Sequence, residues 1–284
     1  MSSDLVGKVF IVTGSSTGIG RVTARELARR GGHVFLANRS EARSTPVLDE
    51  IRNDSGGGRA EFLPLDLADL ASVRAAAEAF LSRGLPLHGL VNNAGLAGQR
   101  GLTKDGFELT FGTNHLGPFL FTLLLLDRMK QDAPSRIVNV ASRAHHNAKS
   151  IEWDALRRPG TSTGGLAEYS VSKLANVLFT KELARRLEGT GVMACALHPG
   201  VVATDIWRGL PWGLRHLAKL FMISPEQGAR TTLHCVASPE AADGNGLYYD
   251  DCKARRPSRA ADDPALASEL WRRSLEWTGA PTAA

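Results

Sequence analysis

The chain has 284 residues, enough for two domains of about 150 residues or for one larger α/β domain. With 43% hydrophobic residues, 22% charged residues and 29 glycines it has the composition of a globular protein with a sizeable core, which excludes a disordered or collagen-like chain. Lys and Arg number 34 against 29 Asp and Glu, a net charge of +5 dispersed along the chain, which points to solubility first and an anionic ligand second, and speaks against nucleic acid as a partner.

Residues 8–13 are a short β-branched run, 21–30 have helical spacing and 33–37 are again apolar, which predicts strand, helix, strand. The cycle continues with a strand at 61–65, a helix at 70–82, a strand at 87–92, a helix at 112–130 and a strand at 137–141. A long helix at 168–188, a strand at 191–197, a helix at 224–237 and a last strand at 246–249 complete it. Strands separated by helices of this length predict a parallel sheet of about seven strands with helices on both faces, a single doubly wound α/β domain over residues 1–284. Residues 9–12, 90–92 and 137–140 are apolar at consecutive positions, as strands buried on both faces should be. Two segments interrupt the rhythm: 143–167, polar and Gly/Thr-rich near its end, and 205–223, rich in Trp, Leu and Phe. In the tail, Asp262, Asp263 and Pro264 mark a capped start, and Leu266, Leu270 and Leu275 predict a short amphipathic helix over about 264–277.

The longest apolar stretch, 116–126, has 11 residues and includes Gly117, Pro118 and Thr122, whereas a membrane-spanning helix needs about 20. No basic segment followed by an apolar run and a cleavage site opens the chain, so nothing directs secretion. Cys195, Cys235 and Cys252 are odd in number, distant in sequence and without metal or redox spacing; they read as incidental thiols of a reducing compartment, and the expected location is cytoplasmic.

The first strand runs into Thr13-Gly14-Ser15-Ser16-Thr17-Gly18-Ile19-Gly20 and then into a helix. Gly14 suits a tight turn, Gly18 close approach of the backbone to a pyrophosphate, and Gly20 close helix and strand packing, while the helix N-terminus directs free N–H groups at the anion. Ser16, Thr17 and Ile19 belong to the same candidate cofactor site. A glycine triplet alone is an ordinary turn; the strand before it and the helix after it make it a dinucleotide-binding, Rossmann-type turn.

The three residues between the first two glycines resemble the TGxxxGxG of short-chain dehydrogenases/reductases, and the resemblance accumulates along the chain. Asn92-Asn93-Ala94-Gly95 is similar to the NNAG that closes that family's fourth strand, Asn114 lies on the next helix and Ser142 ends the fifth strand. Tyr169 and Lys173 form YxxxK, and Pro199, Gly200, Val202 and Thr204 follow the sixth strand. The resemblance implies that Asn93, Ala94, Gly95, Pro199, Gly200, Val202 and Thr204 join the cofactor site, with Tyr169 and Lys173 also touching the cofactor. Asp66 and Leu67, after the third strand, match the position that contacts adenine.

At the end of the second strand, where an NAD enzyme usually has an acidic residue on the ribose hydroxyl, this chain has Asn38 and Arg39. Asn38 removes a carboxylate that would repel a 2′-phosphate, and the Arg39 fork matches phosphate geometry, so NADP(H) is the preferred cofactor, with NAD(H) left open. The bland alternative for Arg39 is a solvated surface charge.

Tyr169 and Lys173, four apart on a predicted helix, share a face. A tyrosine has a pKa of about 10, too high for proton exchange near neutrality, and a nearby ammonium would stabilise its phenolate. The resemblance implies Tyr169 as general acid/base, Ser142 bonded to the substrate oxygen, Lys173 on the nicotinamide ribose and Asn114 holding a relay water. Taken singly, these residues read as a half-buried aromatic, a strand-end hydroxyl, a surface charge and a local helix hydrogen bond. The adjacent His145 and His146 lack further ligands, so no metal is expected; His198, before Pro199, reads as a side chain tethering backbone.

The 26 residues between Ser142 and Tyr169, the His198-Pro199-Gly200 triplet, YSVSKLANV at 169–177 and GLYYDDC at 246–252 resemble the retinol dehydrogenase and carbonyl reductase branch. Those relatives are commonly tethered by an N-terminal apolar segment, which this sequence does not carry before its first strand. The 205–223 segment places Leu210, Leu214, Leu217 and Phe221 at helical spacing, a candidate lid over a lipophilic aldehyde, ketone or alcohol; core packing and peripheral membrane contact are the alternatives, the last least favoured. The apolar helix at 112–130 and the long helix after it need cover, and related enzymes pair them, which implies a homodimer or homotetramer. The competing functional class is an NADP(H)-binding sensor with little turnover.

Overall fold

In the computed structural model, which describes residues 4–54, 58–200 and 223–282, eight strands form one sheet in the order β3-β2-β1-β4-β5-β6-β7-β8. These are β1 (Val9–Thr13), β2 (His33–Asn38), β3 (Arg59–Pro64), β4 (Gly89–Asn92), β5 (Ser135–Val140), β6 (Val192–His198), β7 (Tyr248–Asp250) and β8 (Lys253–Arg255). All pairs through β7 are parallel, and β8 is an antiparallel edge added by a hairpin, one strand more than the sequence predicts. Successive side chains of a strand point to opposite faces. Val9 and Ile11 accordingly enter one core with α3 (Leu70–Leu81) and the long helix α4 (Leu109–Gln131). Phe10 and Val12 enter the other, with α1 (Gly18–Arg29), α2 (Glu41–Asp54) and α6 (Pro225–Ala237).

Helix α2 is absent from the sequence reading because Pro46 lies inside it, a residue that normally interrupts a helix. Its buried face is narrow: Ser44, Val47, Leu48 and Ile51. The expected 70–82, 168–188 and 224–237 helices stand as α3, α5 (Leu166–Arg186) and α6, with a Ser224/Gln227 capping box at the start of α6. Where a helix is predicted to begin at 112, the chain already turns at Leu109, held by Glu108 accepting from Phe111 N at 2.7 Å, and Gly112–Leu116 widens into a π turn.

Helix α4 is apolar and long enough to cross a membrane, but 83% of its most apolar window is buried inside the protein. Its cover is α3, α5 and the sheet, completed by the tail helix α7 (Pro264–Thr278), which is started by Asp263 accepting from Ala265 N and Leu266 N. Trp271 packs edge-on against Phe119 of α4 at 5.2 Å and stacks on Phe179 of α5 at 5.9 Å, while His115 and Ser274 bond at 2.9 Å. The apolar face behind the expectation of self-assembly is therefore largely covered within the chain. The 143–167 insertion is not an open loop: it folds into three short 3-10 turns and buries Ala148, Ile151 and Leu156 in the third core, with Trp153 facing Arg273 and Trp277 of α7. Trp271→Ala should cost about 3–5 kcal/mol of unfolding free energy by denaturant titration; a change below about 1 kcal/mol would mean that α7 is not the cover of these helices.

Candidate active site

The sheet order reverses between β1 and β4, and a crevice opens there at the carboxyl ends of the strands. A cleft of about 890 Å³ occupies it, within the range of sites that hold a cofactor. Its floor is the glycine turn. Gly14 has φ of +66° and a Cβ on it would lie 2.7 Å from Ala94 Cα; a Cβ on Gly20 would lie 2.4 Å from both Gly14 O and Asn93 Nδ2. The turn is pinned from both sides: Thr13 Oγ1 accepts from the amides of Asn93 and Ala94 at 3.0 Å, and Asn93 Nδ2 donates to Thr13 O at 2.8 Å. Asn38 Oδ1 accepts from Ser15 N at 2.7 Å, and its Nδ2 donates to the Ser15 and Ser44 hydroxyls, so Asn38 is also a strut between turn, strand and α2. Thr17 precedes α1 without a side-chain cap, which leaves first-turn N–H groups for an anion.

Gly14, Ser16, Thr17, Gly18, Ile19 and Gly20 line this end of the cleft. Arg39, Asp66 and Leu67 line its far side, and Asn93, Ala94 and Gly95 the wall along β4. Tyr169, Lys173 and Pro199 close the opposite end. Gly200 lies off the lining, its Cα turned toward Ile223. Val202, Thr204 and the candidate lid apart from Ile223 lie outside the described residues. Sequence reasoning missed Ser40 and Arg43, which also line the cleft beside Arg39; Arg43 is one turn on along α2, the helix that Pro46 hides. The residues present thus fit a dinucleotide, with exposed guanidinium groups at one end and a buried tyrosine and lysine at the other.

Tyr169 and Lys173 share the inner face of α5, and both are more than nine-tenths buried. The Ser142 side chain lies close enough to the Tyr169 hydroxyl to favour its ionised form. Lys173 Nζ donates to Val140 O at 2.8 Å and lies 5.5 Å from the Tyr169 ring centre. Burial pushes the Lys173 ammonium down to about 8. Burial likewise raises the Tyr169 phenol, with the neighbouring Ser142 side chain pulling the other way. The expected lowering by Lys173 is therefore not what dominates here, because the ammonium spends its bond on a backbone carbonyl.

Asn114 lies behind the wall, in the π turn of α4. Its amide bonds Leu96 N and Leu96 O at 2.8 and 2.9 Å and the Ser172 hydroxyl at 3.0 Å, which ties α4, α5 and the cleft wall together. A π turn inside an α-helix is frequent at functional sites. Cys195 and Cys235, far apart in sequence, are buried near each other between β6 and α6, a proximity no spacing rule reveals. Among the described residues no group of three or more His, Cys, Asp and Glu is placed to hold a metal.

Fold, crevice and glycine turn together define a dinucleotide-dependent oxidoreductase of the short-chain type. The family model of short chain dehydrogenases matches residues 8–155. Mouse retinol dehydrogenase 12 is 46% identical over 276 residues, covering 96% of this chain and 87% of the relative. A solved Mycobacterium paratuberculosis protein superposes with a TM-score of 0.78 at 34% identity, covering 99% of this chain and 98% of its own. A Beutenbergia cavernae structure described as an NAD(P)-dependent gluconate 5-dehydrogenase with bound NADP gives a TM-score of 0.72 at 27% identity, covering 88% and 97%. The chain belongs to the short-chain dehydrogenase family, on its retinol dehydrogenase-like branch.

Burial also pushes His115 down to about 3, and His145 and His198 down to about 4. Each stays neutral when folded and takes a proton near pH 6.5 when unfolded, so its contribution is present above pH 6.5 and is lost as pH falls toward the folded value. His33 and His88 shift the same way. Urea midpoints measured from pH 7 to 5 should fall, with a limiting slope of about 1.4 kcal/mol per pH unit for each buried histidine. A flat profile would show these imidazoles charged in the folded protein.

Proposed function

We propose that the protein is an NADP(H)-dependent oxidoreductase that moves a hydride between nicotinamide and a lipophilic carbonyl or alcohol, with Tyr169 as general acid/base. The observation that carries this reading is the buried Tyr169, which closes one end of the cleft with the part-buried Ser142 side chain beside its hydroxyl and Lys173 on the same helix face. A substrate carbonyl oxygen accepts from both hydroxyls. Tyr169 then gives its proton to that oxygen during reduction or takes one from the alcohol during oxidation. Lys173 holds positive charge nearby, and Asn114 fixes the wall from behind. The bound nicotinamide supplies or accepts the hydride; the Gly14–Gly20 turn would hold its pyrophosphate, Asp66 and Leu67 the adenine, and Arg39 the 2′-phosphate.

The preference for NADP(H) rests on Arg39 and Arg43 beside the cleft and on an amide, not a carboxylate, at Asn38. The lipophilic substrate rests on the 205–223 sequence and on relatives whose names specify retinol, so retinal and retinol head the panel of aldehydes, ketones and alcohols to assay. Free thiols at Cys195, Cys235 and Cys252 support a reducing, cytoplasmic setting. A homodimer or homotetramer would use surface other than that occupied by Trp271.

Nicotinamide absorbance should show NADPH consumed in preference to NADH, and Tyr169→Phe should lower kcat by about 10²- to 10⁴-fold with NADPH affinity retained. Tight NADPH binding with no turnover across the panel would instead favour a sensor. Arg39→Ala should weaken NADPH about 10- to 100-fold and leave NADH unchanged; an equal effect on both would make Arg39 a mere surface charge.

A further inference from the structure

Strand β5 ends at Val140, and Ser142 beyond it caps the 143–147 turn, its hydroxyl accepting from Ala144 N at 3.2 Å. The peptide plane that follows the serine is held at both edges by imidazoles. On one edge, the Ser142 carbonyl lies 2.6 Å from His145 Nδ1. His145 Nε2 accepts from Ser258 N at 3.0 Å, so it carries no proton, and Nδ1 must be the donor to Ser142. On the other edge, the Arg143 amide donates to His198 Nδ1 at 3.3 Å, so here Nδ1 is bare and the proton sits on Nε2, a buried atom with no hydrogen-bond partner among the described residues. The Arg143 side chain is itself fixed by a two-pronged bond to Asp250 at 2.7 and 3.1 Å, and Asp250 stands opposite His198 in the β6–β7 register. His145 is fully buried and packs against Tyr248 of β7 at 4.9 Å, and His198 is 4% exposed.

We propose that His145 and His198, as neutral imidazoles of opposite tautomer, clamp the Ser142–Arg143 peptide plane and are positioning residues for the Ser142 hydroxyl. The Ser142 carbonyl also accepts from His145 N at 3.1 Å and the Ser142 hydroxyl from Ala144 N at 3.2 Å, so the imidazoles brace a turn that already ties the serine. Loss of the His198 bond releases the Arg143 edge of the plane and loosens the hydroxyl beside Tyr169. Through Ser258, the clamp also makes the segment before α7 part of the support of the site. This rests on Ser142 acting as proposed above, and the experiment separates the two.

The test compares His198→Leu, which has no acceptor, with His198→Asn, whose Oδ1 can replace Nδ1, and uses Ser142→Ala as the reference. Turnover with NADPH and a responsive carbonyl gives kcat and KM; fluorescence gives NADPH affinity. His198→Leu should lower kcat about tenfold or more with NADPH affinity unchanged, and His198→Asn should recover most of it. His198→Asn as impaired as His198→Leu, or a loss shared equally with NADPH affinity, overturns the clamp. Full turnover in Ser142→Ala overturns the role of Ser142 instead. Independently of turnover, ¹⁵N spectra at pH 7 should show the two histidines with opposite ring nitrogens protonated. The same tautomer at both, or a charged ring at either, overturns the proposal.

Discussion

Strand β1 pairs with β2 on one side and with β4 on the other, so the chain leaves the sheet in opposite directions from two adjacent strand ends. No connecting helix can cover the gap between those ends, and a crevice is unavoidable there. Its usefulness depends on how closely β1 and β4 hold their outgoing turns. Thr13, Gly14, Asn93 and Ala94 meet so tightly that a single Cβ on Gly14 or Gly20 would collide with backbone. The Asn93 side chain and the Thr13 hydroxyl convert that contact into hydrogen bonds, so the turn that would receive phosphate and the wall that would flank nicotinamide form one rigid piece.

The Tyr169 end of the cleft is assembled differently, from groups buried with few charges to balance them. Lys173 has no carboxylate bonded to it and gives its bond to Val140 O; Asn114 spends its amide on Leu96 and Ser172. Buried polar groups that are fully paired are rigid and difficult to move. The cost is visible in the histidines, three of which are neutral only because burial forbids their charge. Two of them border Ser142, and the third bonds Ser274 of the tail helix. Parts of the chain remote from the cleft, the 143–167 insertion and α7, thereby acquire a bearing on its geometry.

The strands and most helices were legible because their signal is local. Residues 9–12 and 137–140 are apolar without interruption, and α3, α5 and α6 lie within a few residues of their predicted limits. Helix α2 was not legible, since Pro46 argues against it and only packing under β2 and β3 outweighs that penalty. The π turn at Gly112–Leu116 was equally hidden: it is a matter of which carbonyl each amide reaches, and the residues that carry it suit an ordinary helix.

The sequence by itself determined the doubly wound class, the glycine turn, and the pairing of Tyr169 with Lys173, because each depends on residue spacing within one strand, turn or helix. Only the tertiary structure decided what those side chains bond. Lys173 turned out to be held by β5 and Tyr169 to lie beside Ser142, and burial governs both protons more than their mutual attraction does. Arg43, His145, His198 and Trp271 gained their places from strands and helices far along the chain. Burial and hydrogen-bond partners are properties of the packed whole, and no local spacing encodes them.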